Sequence, residues 1–526
     1  MADTEAARSI HHVDLDEKSD EKSLAKGQGI GYSHLLTDEQ ELFLNRVQPE
    51  EQDKIFRKVD WHVVPMLTLL YLACHVDRAN IGNAKIEGLE ADLNMKGTDY
   101  NLIAAIFFIP YLIFGKYPRD SKTAKMPSNT LLLRFNRPSY YLGIIVTAWG
   151  LVMTFTGFVQ NMGSLAACRA LLGFFESGFF PAAVYLISKW YPPNRTYWRV
   201  AIFYSASAAS GAFSGLLAAA IAQMHGVKGL EGWRWIFILE GIASVLIGIM
   251  CFFFLPDSPS LSRWLTPEEA RFLNLLHDAT RGRIEVEKKK ANTRTTLIKV
   301  VKDWQLYVHA LIFNGVGIPL YGVKFTMPQI VKNMGFTSTT AQLMTAPPYV
   351  VAALASLCCA WFSDKYRWRM PFMVGPQIIT LVGFAILYVV SDKLQDNIAL
   401  AYFCLFIVCA GTYPTLPGIN SWSSDNLAGP AKRAMGLGFM IMMGNMSGFG
   451  GSYIFINKEA PKYPTAYGLS LGLLCTAIAS CFALDYAYWT INKRRNAMSP
   501  EEVSARYTTE ELNEMGDRSP LFRYQL

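Results

Sequence analysis

The chain has 526 residues, of which 51% are hydrophobic, 13% aromatic and only 17% charged, with a formal net charge of +7. Soluble domains carry about 25% charged residues, so an ordinary soluble class is excluded and a membrane protein is expected. The basic excess does not interleave with aromatics on a soluble domain, which argues against a nucleic-acid surface and assigns the charge to cytoplasmic loops.

Residues 1–57 are polar and mixed in charge, as in Asp14-Leu15-Asp16-Glu17-Lys18, with no apolar run of a secretory signal. A solvated cytoplasmic tail is expected there, so the first membrane span has to direct the chain to the bilayer. Apolar windows of spanning length follow at 63–89, 101–114, 141–160, 163–187, 200–223 and 233–255. A polar stretch at 256–303, carrying Arg281, Arg283, Lys288, Lys289 and Lys290, reads as a cytoplasmic linker. Six more windows lie at 304–326, 342–362, 371–390, 398–420, 434–456 and 466–491, and 492–526 reads as an unremarkable cytoplasmic tail. The expected fold class is an all-α membrane protein of twelve transmembrane helices in two six-helix bundles, 58–255 and 304–491.

Lysine and arginine orient the spans. Arg134 and Arg137, Lys189 and Arg199, the 281–290 cluster, Lys365, Arg367 and Arg369, Lys432 and Arg433, and Lys493 to Arg495 fall on one side, and the opposite loops balance their few bases with acids. Both termini are therefore expected in the cytoplasm, and the sequon at Asn194 is expected to stay unglycosylated. The second window is interrupted by residues 115–125: 101–114 alone spans roughly 21 Å, short of a core of about 30 Å, and removing the insert restores a full helix. Codons for Gly115-Lys116-Tyr117 can spell a splice donor, so the insert is either a misplaced exon boundary or a genuine loop extension. All nine cysteines lie in apolar segments without metal-ligand spacing and read as small hydrophobes.

Charge inside the spans carries the functional signal. His75, Asp77 and Arg78 sit mid-way along the first span, where an ionisable group costs at least about 2.5–3.5 kcal/mol and marks a pathway. Arg169 and Glu176 in the fourth span are seven residues apart and share one helical face. These acids and bases are either a structural ion-pair network or a proton-coupled anion site, for which arginine's planar fork is suited. Tyr321 and Lys324 in the seventh span offer a second substrate contact, although Lys324 also has the length to snorkel to the surface. Asn314, Asn420 and Asn445 offer hydrogen bonds to a polar substrate or between helices, and His75 reads as a packing residue. No phosphate-binding loop, metal motif or nucleophile elbow is present, so neither an enzyme nor a cofactor is expected.

A six-plus-six plan with its centre in the cytoplasm is how the major facilitator superfamily is built. The motifs Asp77-Arg78-Ala79-Asn80-Ile81-Gly82-Asn83-Ala84, Arg169-Ala170-Leu171-Leu172-Gly173-Phe174-Phe175-Glu176-Ser177-Gly178, Gly232-Trp233-Arg234-Trp235-Ile236-Phe237-Ile238-Leu239-Glu240-Gly241 and Asn426-Leu427-Ala428-Gly429-Pro430 resemble the fungal allantoate/nicotinate permease family of anion:cation symporters. The resemblance covers about residues 55–490. It implies that Arg78 meets a substrate carboxylate, that Asp77 and Glu176 carry protons and that Arg169 is their basic partner. The expected protein is a proton-coupled symporter of a small organic anion such as nicotinate, allantoate or another carboxylate, working as a monomer in the lipid bilayer of a fungal plasma membrane. An exporter of an acidic metabolite and a non-transporting nutrient sensor are the alternatives. Asp364 with Lys365, Arg367 and Arg369 after the eighth span resembles a degenerate gating loop of that superfamily, and the matching loop after the second span lacks the expected aspartate.

Overall fold

Proline sets where many of the helices begin, because the first helical position needs no backbone N–H and favours the fixed φ of proline. The computed structural model describes residues 37–114, 137–277, 293–366, 368–508, 511–512 and 515–526. Six membrane helices start on proline: α1 (Pro49–Ala84), α3 (Pro138–Thr156), α5 (Pro193–Ala222), α9 (Pro371–Val390), the first part of α11 (Pro430–Gly444) and α12 (Pro464–Asn496). The others are α2 (Asp99–Ile106 then Phe108–Phe114), α4 (Met162–Glu176 then Phe179–Trp190), α6 (Gly232–Phe254), α7 (Trp304–Asn333), α8 (Ser338–Tyr366) and α10 (Ile398–Asp425). The second part of α11 is Met446–Ile454. Among the described residues, ten helices are long and apolar enough to cross a membrane. The remaining two of the twelve are α2, described only as far as Phe114, and α11, which breaks at Asn445.

The first helix starts earlier than the 63–89 window. Ile55, Phe56, Val59 and Val63 are buried along one face, so its opening turns are amphipathic and dock on the bundle. At its far end the chain turns at Gly88, whose φ of +97° glycine alone adopts without strain. Residues 1–36, the insert at 115–125, the basic cluster 281–290 and Arg367 lie outside the described residues, as do the side chains of Asn194 and Asp364.

Two apolar cores organise the molecule, one built mainly from residues 44–275 and one mainly from residues 300–524, with Ile86 and Ala212 of the first half packed into the second. In the first half α3 packs on α6, and α1 on α5 and α6; in the second α7 packs on α11 and α12, and α9 on α10 and α12. Between halves α2 meets α11 and α5 meets α8, a pair of contacts related by exchanging the two six-helix units. Leu320, Tyr321 and Phe325 of α7 cross over into the first core.

Polar contacts joining the halves gather at the end holding the loops after α1, α7 and α11. Lys85 Nζ donates to Asn457 Oδ1 at 2.5 Å, Asn101 Nδ2 to Ser452 O at 2.6 Å, Lys332 Nζ to Ile86 O at 2.9 Å and Gln342 Nε2 to Glu87 Oε1 at 3.0 Å. At Gly82 a β-carbon would stand 2.6 Å from Phe325 O, so α1 and α7 meet backbone to backbone there.

The C-terminal residues are part of the second bundle. Leu526 O accepts from the backbone N–H of Arg369 (3.0 Å), and Gln525 O from Trp422 Nε1 (2.9 Å). Tyr524 stacks on Tyr488 with ring centroids 4.6 Å apart. Lys432 bridges Asp303 (2.5 Å) and Asp517 (2.7 Å), both nearly inaccessible. Arg369 of the expected gating loop pairs with Asp425 at 3.0 Å, and Lys365 lies over Trp361.

Candidate functional site

Cys74, His75 and Arg78 are three and four positions apart on α1 and therefore share a face, which looks onto the seam between the halves. Arg78 forms an ion pair with Glu176 of α4, their side chains only 6% and 3% exposed. The partner of Glu176 is thus on α1, whereas the seven-residue spacing on α4 put Arg169 beside it. Cys74 Sγ donates to the same Oε1 at 2.7 Å. Phe107 and Tyr111 of α2 lie 5.0 and 5.1 Å from the guanidinium carbon, a cation–π setting that replaces part of its lost hydration. Arg78 Nε remains buried with no hydrogen-bond partner.

Across the seam, Lys324 of α7 is 4% exposed and does not snorkel to the surface. Its Nζ lies 3.2 Å from His75 Nδ1, and Ser207 Oγ of α5 lies 3.2 Å from the same nitrogen. An ammonium carries only N–H donors, so with Lys324 charged Nδ1 accepts and the ring proton sits on Nε2. His75 is therefore a contact across the seam, beyond the packing role read from sequence. Among the described residues no carboxylate stands within ion-pair distance of Lys324.

Arg78, Glu176, His75 and Lys324 line a cavity of about 90 Å³, joined by Tyr321, Asn420 and Asn445. It extends from this cluster toward Tyr71 and Pro417, nearer the end that carries the termini. Tyr413 also lines it, and neither its OH nor Asn420 Oδ1 has a partner. Asn314 is not among the cavity's lining residues: its Nδ2 donates to Ala310 O (2.8 Å) and Met443 O (3.0 Å) and ties α7 to α11, the second of the two roles open to it from sequence.

Asp77, one residue before Arg78, points about 100° round the helix into the first half. There it accepts from Trp149 Nε1 of α3 (3.0 Å) and Ser244 Oγ of α6 (2.7 Å), away from the cavity. Glu240 of α6 accepts from Asn80 and leaves Oε1 unpartnered. Arg169 is 3% exposed, lies 5.6 Å from the Phe237 ring, and has Nε and Nη2 unpartnered. Among the described residues no group of histidine, cysteine and carboxylates forms a metal site.

Sequence reasoning missed Cys74, Ser207, Tyr413 and Glu240. Cys74 was counted as a small hydrophobe, although it stands one turn from Arg78. Tyr413 is seven residues before Asn420, the same two-turn spacing that flagged Arg169 and Glu176, and would have been found by applying it to neutral polar residues.

Comparison with known proteins identifies the architecture. The family model of the Major Facilitator Superfamily matches residues 67–452. The MFS-type transporter cnsO of Penicillium expansum is 32% identical over the full length of both chains. The major facilitator-type transporter hxnP of Emericella nidulans is 30% identical over 91% of this chain and 94% of its own. Among solved structures, the xylose transporter XylE from E. coli in a partially occluded inward open conformation superposes with a TM-score of 0.60 at 15% identity, covering 80% of this chain and 96% of that one. A bacterial homologue of the lysosomal transporter Spinster, inward-facing and unoccupied, gives 0.58 at 17% identity, covering 81% and 94%. A multi-pass chain with this helix order, these relatives and a polar cavity between its halves is a secondary transporter that belongs to the major facilitator superfamily.

Proposed function

We propose that the protein imports a small organic anion together with protons, as the resemblance to the allantoate/nicotinate permeases implies. The observation that carries this reading is the charge count at the cavity. Arg78 and Lys324 are both buried there, and Glu176 is the one carboxylate that lines it among the described residues. A buried cation without a counter-ion is costly, so a substrate carboxylate is the natural partner.

The same geometry supplies a coupling step. Ionised Glu176 occupies Arg78; a proton on Glu176 removes its charge and frees the guanidinium, whose unused Nε and Nη groups then take the substrate carboxylate in bidentate fashion. Anion and proton enter together, so uptake rises as external pH falls. Asp77, held by Trp149 and Ser244, is the second proton-carrying acid, with Arg169 as the base of that inner cluster. Tyr321, Asn420 and Tyr413 supply uncharged contacts. Loops rich in lysine and arginine support a cytoplasmic position for both termini. With that orientation the cavity faces inward, and the contacts at Lys85, Asn101 and Lys332 close the outer side. A plasma-membrane location and a monomeric carrier complete the reading.

The test is uptake of labelled organic acids, nicotinate among them, by yeast lacking its own carrier, across pH and with a protonophore. Uptake that rises at acid pH, collapses with the protonophore and disappears in a correctly localised Arg78→Ala variant supports the proposal. Uptake of an acid that is indifferent to pH and protonophore refutes proton coupling.

A further inference from the structure

We infer that the transported anion carries two anionic groups, one for Arg78 and one for Lys324, and is a short dicarboxylate. This rests on the anion–proton reading above and narrows its substrate. Once Glu176 is protonated, the cavity presents two cations and no carboxylate. A monocarboxylate leaves one of them uncompensated at the depth where that is most costly. An amino acid fits worse, because its ammonium finds no ionised acid on the lining.

Placement agrees with charge. His75, which Lys324 Nζ touches at 3.2 Å, is one helical turn from Arg78 on the face of α1 that lines the cavity, so the two cations open on the same space from opposite sides of the seam. His75 is the positioning residue: by accepting from Lys324 through a neutral ring nitrogen it holds the ammonium at the cavity wall without neutralising it. The seam contact also sets the two carboxylate sites on different halves, α1 and α7, so that a two-ended substrate bridges them. On α10, Tyr413 OH and Asn420 Oδ1 are unpartnered and suit a hydroxyl or other neutral polar group along the chain.

The experiment uses the full-length protein purified in detergent at about pH 6.5, where these acids are mostly ionised. Melting temperature is followed against succinate and butanoate, and against phthalate and benzoate, pairs that differ by one carboxylate, at ionic strength matched with sodium chloride. Half-maximal stabilisation at a concentration at least about 10-fold lower for the dicarboxylate is expected of the wild type. Lys324→Gln is expected to erase that advantage while monocarboxylate binding persists, and Lys324→Arg to keep it. Monocarboxylates that bind as well as their partners, with Lys324→Gln weakening both alike, overturn the dicarboxylate inference and leave the anion reading standing, because one carboxylate then bridges both cations. Should none of the four acids stabilise the wild type beyond the salt control, the dicarboxylate inference fails, and the anion reading is decided separately by the uptake assay above. If Lys324→Gln does not fold, the wild-type panel and Lys324→Arg still decide the outcome.

Discussion

In α1–α6 five ionisable residues, Asp77, Arg78, Arg169, Glu176 and Glu240, are buried, and they divide between the cavity and the packed interior of that half. Along α7–α12 the polar groups buried at mid-membrane are mostly neutral, among them Gln377, Thr380, Thr412 and Thr415, and Lys324 is the cation that faces the cavity. The second half keeps its own ion pairs at its base, where Asp303, Lys432 and Asp517 meet the folded-back C-terminus. The difference teaches where proton and substrate work divide. The carboxylates sit in the first half, and the second supplies a buried lysine, uncharged contacts and a braced frame.

Removing the first-half cation should have the largest effect. Arg78→Ala strands Glu176 and takes away the substrate site, and uptake is expected to fall at least about 100-fold, the equivalent of about 3 kcal/mol. Adding Glu176→Ala should recover melting temperature and leave uptake lost, since the pair's structural and transport contributions then separate. Second in size is the brace on the other half. Deleting residues 517–526 removes the acceptor of Trp422 Nε1, one of the two carboxylates on Lys432 and the Tyr524 ring stacked on Tyr488, and the melting temperature is expected to drop by roughly 5 °C or more. A deletion that leaves it unchanged would show that the C-terminus does not support the bundle.

The smallest and sharpest contrast lies within the second half. Tyr413→Phe removes a hydroxyl from the cavity and should weaken substrate affinity about 5-fold with little change in stability. Asn314→Ala should do the reverse, costing about 1 kcal/mol of stability while affinity is kept, because its amide ties α7 to α11. Titrating the same substrate against both variants checks the pair.

Much of this was readable because charge is scarce in a membrane span: Arg78 and Glu176 stand out against apolar neighbours wherever the helices end up. Which acid meets which base was not readable. The spacing of Arg169 and Glu176 reports one helix, while the pairing of Glu176 with Arg78 depends on how α1 and α4 approach each other. Asn314 and Asn420 are equivalent as letters and differ only in the face each helix turns to the cavity. The early start of α1 was legible in Ile55, Phe56, Val59 and Val63, a helical stripe hidden by the acidic and basic residues between them. The docked C-terminus was not, because its polar composition does not reveal that its carbonyls become acceptors for Trp422 Nε1 and the Arg369 N–H.

Glu176→Gln, which keeps size and hydrogen bonding but cannot ionise, tests the central claim most directly. In proteoliposomes loaded and bathed with the same organic acid, the variant should exchange labelled for unlabelled substrate at a rate near wild type, because Arg78 is permanently free. Uptake driven by an imposed pH gradient should be abolished in the same vesicles. Gradient-driven accumulation at the wild-type level in Glu176→Gln would contradict the account, since the coupling proton would then travel on another group.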